Sequence, residues 1–193
     1  MTPESIAALF AIGVVCLVVA FLVVTTYNAV IALRQRIDKA WSNIDVALKQ
    51  RHDQLPALIG AVRGALAFEQ DVLTRVTQAR AAYSPTEPIP DQAVHADATS
   101  AAIRSLFAVV EAYPELRSHR NVLDLQDEIE RLESMIADRR ELYNDQVYRY
   151  NTRIATLPTL VLSWIMGWRA RPFFAATPEE AVRPATDLDG RAS

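Results

Sequence analysis

Residues 6–24, IAALFAIGVVCLVVAFLVV, carry no charge, and no charged side chain occurs between Glu4 and Arg34. In water such a run must be buried on every side. In a bilayer it needs nothing further, because a helix satisfies its own backbone and nineteen residues at about 1.5 Å each span a hydrocarbon core of roughly 30 Å. A cleaved signal peptide would need a basic leader and a small-residue cleavage site, whereas the residues before the run carry only Glu4. Cys16 follows Val14 and Val15, where a lipoprotein signal wants a small residue. The sequence therefore predicts a retained single-pass transmembrane helix at residues 6–26, after a short tail at 1–5. Arg34, Arg36 and Lys39 follow the span against one acid before it, which places the N-terminus outside and the following domain in the cytoplasm at the inner membrane.

The rest of the chain reads as helical. Val30, Leu33, Ile37, Trp41, Ile44 and Leu48 recur at spacings of three and four, with charged residues between them. A second stripe runs from Leu55 and Leu58 through Leu66 to Leu73 and Val76, with Asp53 as an N-cap and Pro56 in the first turn. Residues 84–91, SPTEPIPD, form a loop. A third helix fits 92–112, with Val94, Ala98, Ile103, Phe107 and Val110 inward and Pro114 as the stop. The last helix starts at an Asn121 cap. Its apolar positions seven apart are Val122, Ile129, Ile136, Tyr143, Tyr150 and Leu157. A second row begins with Leu125 and Leu132 and drifts to Val147 and Ile154, as a 3.6-residue helix does against a coiled-coil seam.

The expected fold is all-α: the membrane helix, then an antiparallel up-and-down bundle over residues 27–174 and a disordered tail at 175–193. Four helices broken at Pro56 would cover the first stripe best. The alternative is one long helix kinked at Pro56 in a three-helix arrangement. Trp41 is expected in the core against Tyr143 or Tyr150.

Chemistry is sparse. There is no phosphate loop, paired histidine motif or nucleophile elbow. His52, in RHD, reads as a helix-end residue satisfying carbonyls and the dipole. His95 and His119 read as loop or cap residues. Asp127 and Arg131 read as a surface pair. No catalytic residue, cofactor or metal site is expected. The net charge of −3 gives no field for nucleic acid, and no small-molecule substrate is expected. The repeated Tyr143-Asn144 and Tyr150-Asn151 suit core packing with interhelical hydrogen bonds, or a register lock or peptide groove. In residues 158–174, PTLVLSWIMGWRARPFF, Trp164, Trp168, Arg169 and Arg171 suit a membrane interface. Otherwise the same apolar face closes the end of the bundle core.

YNAVIALRQRIDKAWSNIDVALKQRHDQLPALIGAVRG from Tyr27, EAYPELR from Glu111 and LQDEIERLESMIADRRELYNDQVYRYNTRIATLP from Leu125 resemble the LemA family. The resemblance runs to about Phe174, departs at Ala67, Phe68 and Gln70, and leaves out the tail after Pro178. It implies a bacterial membrane protein with a short outer N-terminus, one span and a helical bundle. Its members include a magnetosome-associated protein, but it implies no catalytic set. The expected function is thus a non-catalytic envelope scaffold or adaptor, whose partners are the lipid bilayer and another membrane protein or a second copy. The alternative is a membrane-shaping, self-assembling protein.

Overall fold

In the computed structural model, residues 3–63, 69–117 and 119–175 are described. They form α1 (Pro3–Val62), α2 (Gln70–Ala81), α3 (Ile89–Ala112), the single turn α4 (Pro114–Arg117), α5 (Arg120–Ala155) and α6 (Thr159–Met166). No strand occurs among them. The fold is an all-α bundle behind one helix long and apolar enough to cross a membrane, with a mean hydropathy of 3.1 over its most apolar window and none of that window buried.

The expected break at Pro56 does not occur. α1 continues through it to Val62, so Asp53 is an exposed mid-helix residue and not a cap. Pro56 lacks the amide that would donate to the carbonyl of His52, four residues earlier. Arg80 on α2 replaces it, its Nε donating to the His52 carbonyl at 3.2 Å. With that group satisfied, the helix continues to Val62 and the second apolar stripe divides between two elements. Leu55, Leu58, Ile59 and Val62 stay on α1, while Leu73 and Val76 belong to α2. Leu66, Ala67 and Phe68 lie outside the described residues. Among the described residues four helices have twelve residues or more, α1, α2, α3 and α5, and α1 ends at Val62 and not at Pro56.

The chain divides into two compact units, Met1–Lys39 with Asp145–Arg171, and Ala40–Asn144 with Pro172–Ser193. The second holds the main core. Leu55, Leu58 and Val62 of α1, Val72 and Val76 of α2, and Ile103, Leu106 and Val110 of α3 cluster with Leu116, Val122 and Ile129. On α3 the expected inward residues Ile103 and Val110 are buried and Phe107 packs against the core, but the face differs nearer the start of the helix. Val94 and Ala98 are exposed, while Ala93, Ala96, Thr99 and Leu106 are buried. The Thr99 hydroxyl donates to the carbonyls of His95 and, at 3.3 Å, Ala79, and small side chains there let α2 approach closely. α3 also begins at Ile89, earlier than expected, because prolines are tolerated in a first turn. It stops at Tyr113, held extended before Pro114.

Arg51 is buried at the centre of this unit. Its Nη1 donates to Glu133 Oε1 at 2.7 Å and Ser100 Oγ at 2.8 Å, and its Nη2 donates to the Ala96 carbonyl at 3.3 Å. One guanidinium thus joins α1, α3 and α5, and specifies their register more than it stabilises them, since desolvating a charge offsets much of the pair's attraction. On α5 the expected rows are buried from Val122 to Tyr150 and over to Val147 and Ile154. The helix starts at Arg120, one residue before Asn121, and ends at Ala155, leaving Leu157 exposed. Arg131 pairs with Glu128, three residues back, and not with Asp127.

Two predictions test this packing. Arg80→Ala leaves the His52 carbonyl without a donor and is expected to cost about 1–3 kcal/mol. In a Pro56→Ala background the helix recovers its own amide, so the loss should shrink to a few tenths; equal losses in both backgrounds would break the link. Half-buried Trp41 meets Tyr143 edge-on at 5.8 Å and Phe174 at 5.7 Å. Trp41→Ala should therefore cost about 3 kcal/mol, measured by thermal unfolding of the detergent-solubilised protein.

Candidate functional site

The hydrogen bonds of the two Tyr-Asn pairs run to the chain after α6 and not to a neighbouring helix. Each holds part of the extended stretch that follows α6. In the first unit the Tyr150 hydroxyl donates to the Arg169 carbonyl at 3.2 Å. Asn151 donates to the Arg171 carbonyl at 3.0 Å and accepts its amide at 2.8 Å. In the second unit the Tyr143 hydroxyl donates to the Pro172 carbonyl at 2.9 Å. There Asn144 donates to the Phe174 carbonyl at 3.2 Å and accepts its amide at 2.9 Å. A carboxamide presents the same donor and acceptor as a peptide group, so each asparagine pairs with one residue of extended backbone as a neighbouring strand would.

Phe174 ends this segment fully buried. The Arg140 guanidinium lies 5.4 Å from the centre of its ring, donates to its carbonyl at 2.9 Å and pairs with Asp97 at 2.7 Å. Phe174, which the sequence did not single out, is buried against Trp41 and the Arg140 guanidinium. The signal was present in a Pro-Phe-Phe run too short to form a helix.

α6 in the first unit has the opposite character. Its polar side is inward: Thr159 and Ser163 are buried, and the Ser163 hydroxyl donates to the Ile154 carbonyl at 3.0 Å near the end of α5. Its apolar side faces out, with Trp164 87% exposed, Ile165 61% and Val161 56%. These side chains do not close the bundle core, which corrects one of the two expectations for this segment. Gly167 ends α6 in the left-handed conformation at φ 65°, and the Trp168 amide donates back to the Ser163 carbonyl at 3.0 Å. The turn brings Trp168 to Tyr27, ring centres 5.9 Å apart. Tyr27 lies three residues beyond Val24, about 4.5 Å along the helix from the last apolar residue of the span.

Beside this contact is an open cleft whose lining includes Arg34, Tyr150, Gly167, Trp168, Arg169 and Arg171. Arg171 approaches Asp38 at 3.5 Å. Between residues 27 and 39 and between 145 and 171 the chain has seven Arg or Lys and only two acids, Asp38 and Asp145, although its net charge is −3.

The histidine reading also changes. His52 lies in mid-helix, so it serves no helix end, and its neighbour Arg51 points to Glu133 instead. The His52 ring lies 5.2 Å from that of Tyr83, with Nδ1 buried and unpartnered. Burial, and then the adjacent Arg80, lower its pKa, with Asp53 opposing. Burial and the nearby Asp45, which accepts its hydroxyl at 3.2 Å, push Tyr83 up to about 12. His95 is on α3 and pairs with Glu87 at 3.3 Å, and His119 precedes α5. No cluster of three metal-ligating side chains occurs among the described residues.

Residues 40–188 match the model of the LemA family. The chain belongs to the LemA family. The LemA match begins inside α1, thirteen residues after Tyr27, and reaches well past Pro178, so the tail expected to lie outside the resemblance falls largely within it. Two curated relatives, Magnetosome protein MamQ 1 and Magnetosome protein MamQ 2 of Paramagnetospirillum magneticum, are each 34% identical over 77 residues. That similarity covers 40% of this LemA-family chain and only 28% of the length of each relative.

If the Asn144 carboxamide holds Phe174 in place, Asn144→Leu removes both hydrogen bonds and should destabilise the protein by about 2–3 kcal/mol. Exchange of the Phe174 amide should quicken well before that of α5. An unchanged exchange rate would show that Phe174 packing alone retains the segment.

Proposed function

We propose that this LemA-family chain is a non-catalytic, single-pass membrane scaffold that presents its bundle on the cytoplasmic side of the inner membrane to another membrane protein. The observation that carries the reading is α1, in which a 19-residue apolar run continues without a linker into the helix that supplies Leu55, Leu58 and Val62 to the core. An anchor merged with a core helix suits a protein whose task is to hold a surface at the membrane. The excess of cations flanking the span supports the cytoplasmic side. An open groove lined by Asp97, Arg104, Glu133, Arg140 and Glu141 offers mixed charge, which fits a polar partner better than an apolar ligand.

A second reading, a bilayer-shaping or self-assembling protein, draws on the outward apolar face of α6 and on the similarity to two magnetosome proteins. Crosslinking in intact cells separates the two: discrete heterologous products support a scaffold, and self-products alone support assembly. For topology, protease added to intact spheroplasts is expected to leave the bundle whole and to digest it only after lysis. Digestion before lysis would reverse the orientation.

A further inference from the structure

We infer that the cleft beside α6 binds the headgroup of an anionic phospholipid, with the exposed face of α6 lying against the lipid's acyl chains. The inference rests on reading α1 as a membrane span, and deepens it by assigning a lipid class and a site.

Three observations point to this occupant. The first is position. The Tyr27–Trp168 contact ties the cleft to the turn of α1 just past the apolar run, where aromatic rings favour the boundary between headgroups and hydrocarbon. The second is unspent charge. Arg34 and Arg169 have no carboxylate partner among the described residues, and Arg171 has only the long contact to Asp38. Guanidinium groups suit phosphate because they donate two parallel hydrogen bonds and are weakly hydrated. The third is preorganisation. Arg169 and Arg171 both line the cleft, and their backbone is fixed by Tyr150 and Asn151 before any ligand arrives. Binding therefore costs little backbone ordering.

The outward face of α6 completes the match. Leu160, Trp164 and Ile165 are exposed on an eight-residue helix whose polar side is buried, the reverse of a helix on a water-soluble surface. Acyl chains would cover that face while the phosphate met the arginines. The cytoplasmic leaflet carries the anionic lipids to which basic juxtamembrane segments are drawn.

The test uses the full-length protein in detergent micelles, with phosphatidylglycerol and phosphatidylcholine added in turn and bound lipid counted by native mass spectrometry. A preference of about tenfold or more for phosphatidylglycerol is expected, since each basic side chain near the site contributes roughly fivefold. Arg34→Gln/Arg169→Gln/Arg171→Gln should reduce it to within about twofold without changing helicity. About 0.5 M salt should weaken it in the unmodified protein, where no folding question arises. Trp164→Ser/Ile165→Ser should lower retention of both lipids and leave the preference. Equal retention of the two lipids, or a preference untouched by the triple substitution, overturns the proposal. So does displacement of the lipid by inorganic phosphate, which would mark a free-phosphate site. Recovery of the protein without detergent would defeat the anchor reading and this site together, whereas loss of preference in a protein that fractionates with membranes defeats this site alone.

Discussion

One backbone carbonyl decides how far α1 extends. Pro56 removes the amide that should reach the oxygen of His52, and leaving that part-buried carbonyl unpaired would cost about 1–3 kcal/mol. Arg80 meets it from α2. Because the helix then runs on to Val62, Leu55, Leu58, Ile59 and Val62 reach the main core on a single element. The short α2 docks where its arginine is needed, and α3 packs upon it through a face of alanine and threonine. Arg51, on the adjacent residue, reaches α3 and α5. Two consecutive positions of α1 thus fix the neighbouring helices through polar groups, while the apolar residues around them supply most of the burial.

The stretch after α6 shows how a helix holds a chain that is neither helix nor strand. Tyr and Asn repeated at seven residues place a hydroxyl and a carboxamide at two levels of α5, and each pair satisfies backbone that solvent would otherwise satisfy. Segments without secondary structure lie on surfaces because their peptide groups need partners. Here side chains supply those partners, and Phe174 can be fully buried at the segment's end. The same clamps leave Arg169 and Arg171 on a defined backbone, so the first unit keeps both its cations and the exposed apolar face of α6 available.

Much of this was legible in the sequence. Side-chain periodicity is a local property of a helix, so the rows Val122, Ile129, Ile136, Tyr143 and Tyr150, with their drift to Val147 and Ile154, could be read without knowing what they pack against. The span at residues 6–24 was legible for the same reason, since its length and lack of charge are properties of the segment itself. Trp41 against Tyr143 followed from the two stripes. The boundary at Pro56 was misread because proline's effect depends on whether something else satisfies the freed carbonyl, and Arg80 is twenty-four residues away. On α3 the expected face held at Ile103 and Val110 but missed Ala93, Ala96 and Thr99 near the start, because alanine and threonine carry too little hydrophobic contrast to mark which side faces inward.

The sequence by itself determined the helical class, the long apolar N-terminal helix, the α5 core stripe and the family resemblance, all of which depend on residues near one another along the chain. Only the tertiary structure decided that α1 passes through Pro56, that Arg51 serves Glu133 and not His52, and that the Tyr-Asn pairs grip residues 169–174. It alone turned the apolar side of α6 outward. Each of these is settled by a polar group finding its partner across a long stretch of chain, and hydrogen-bond partners, unlike apolar periodicity, leave no regular trace in the order of residues.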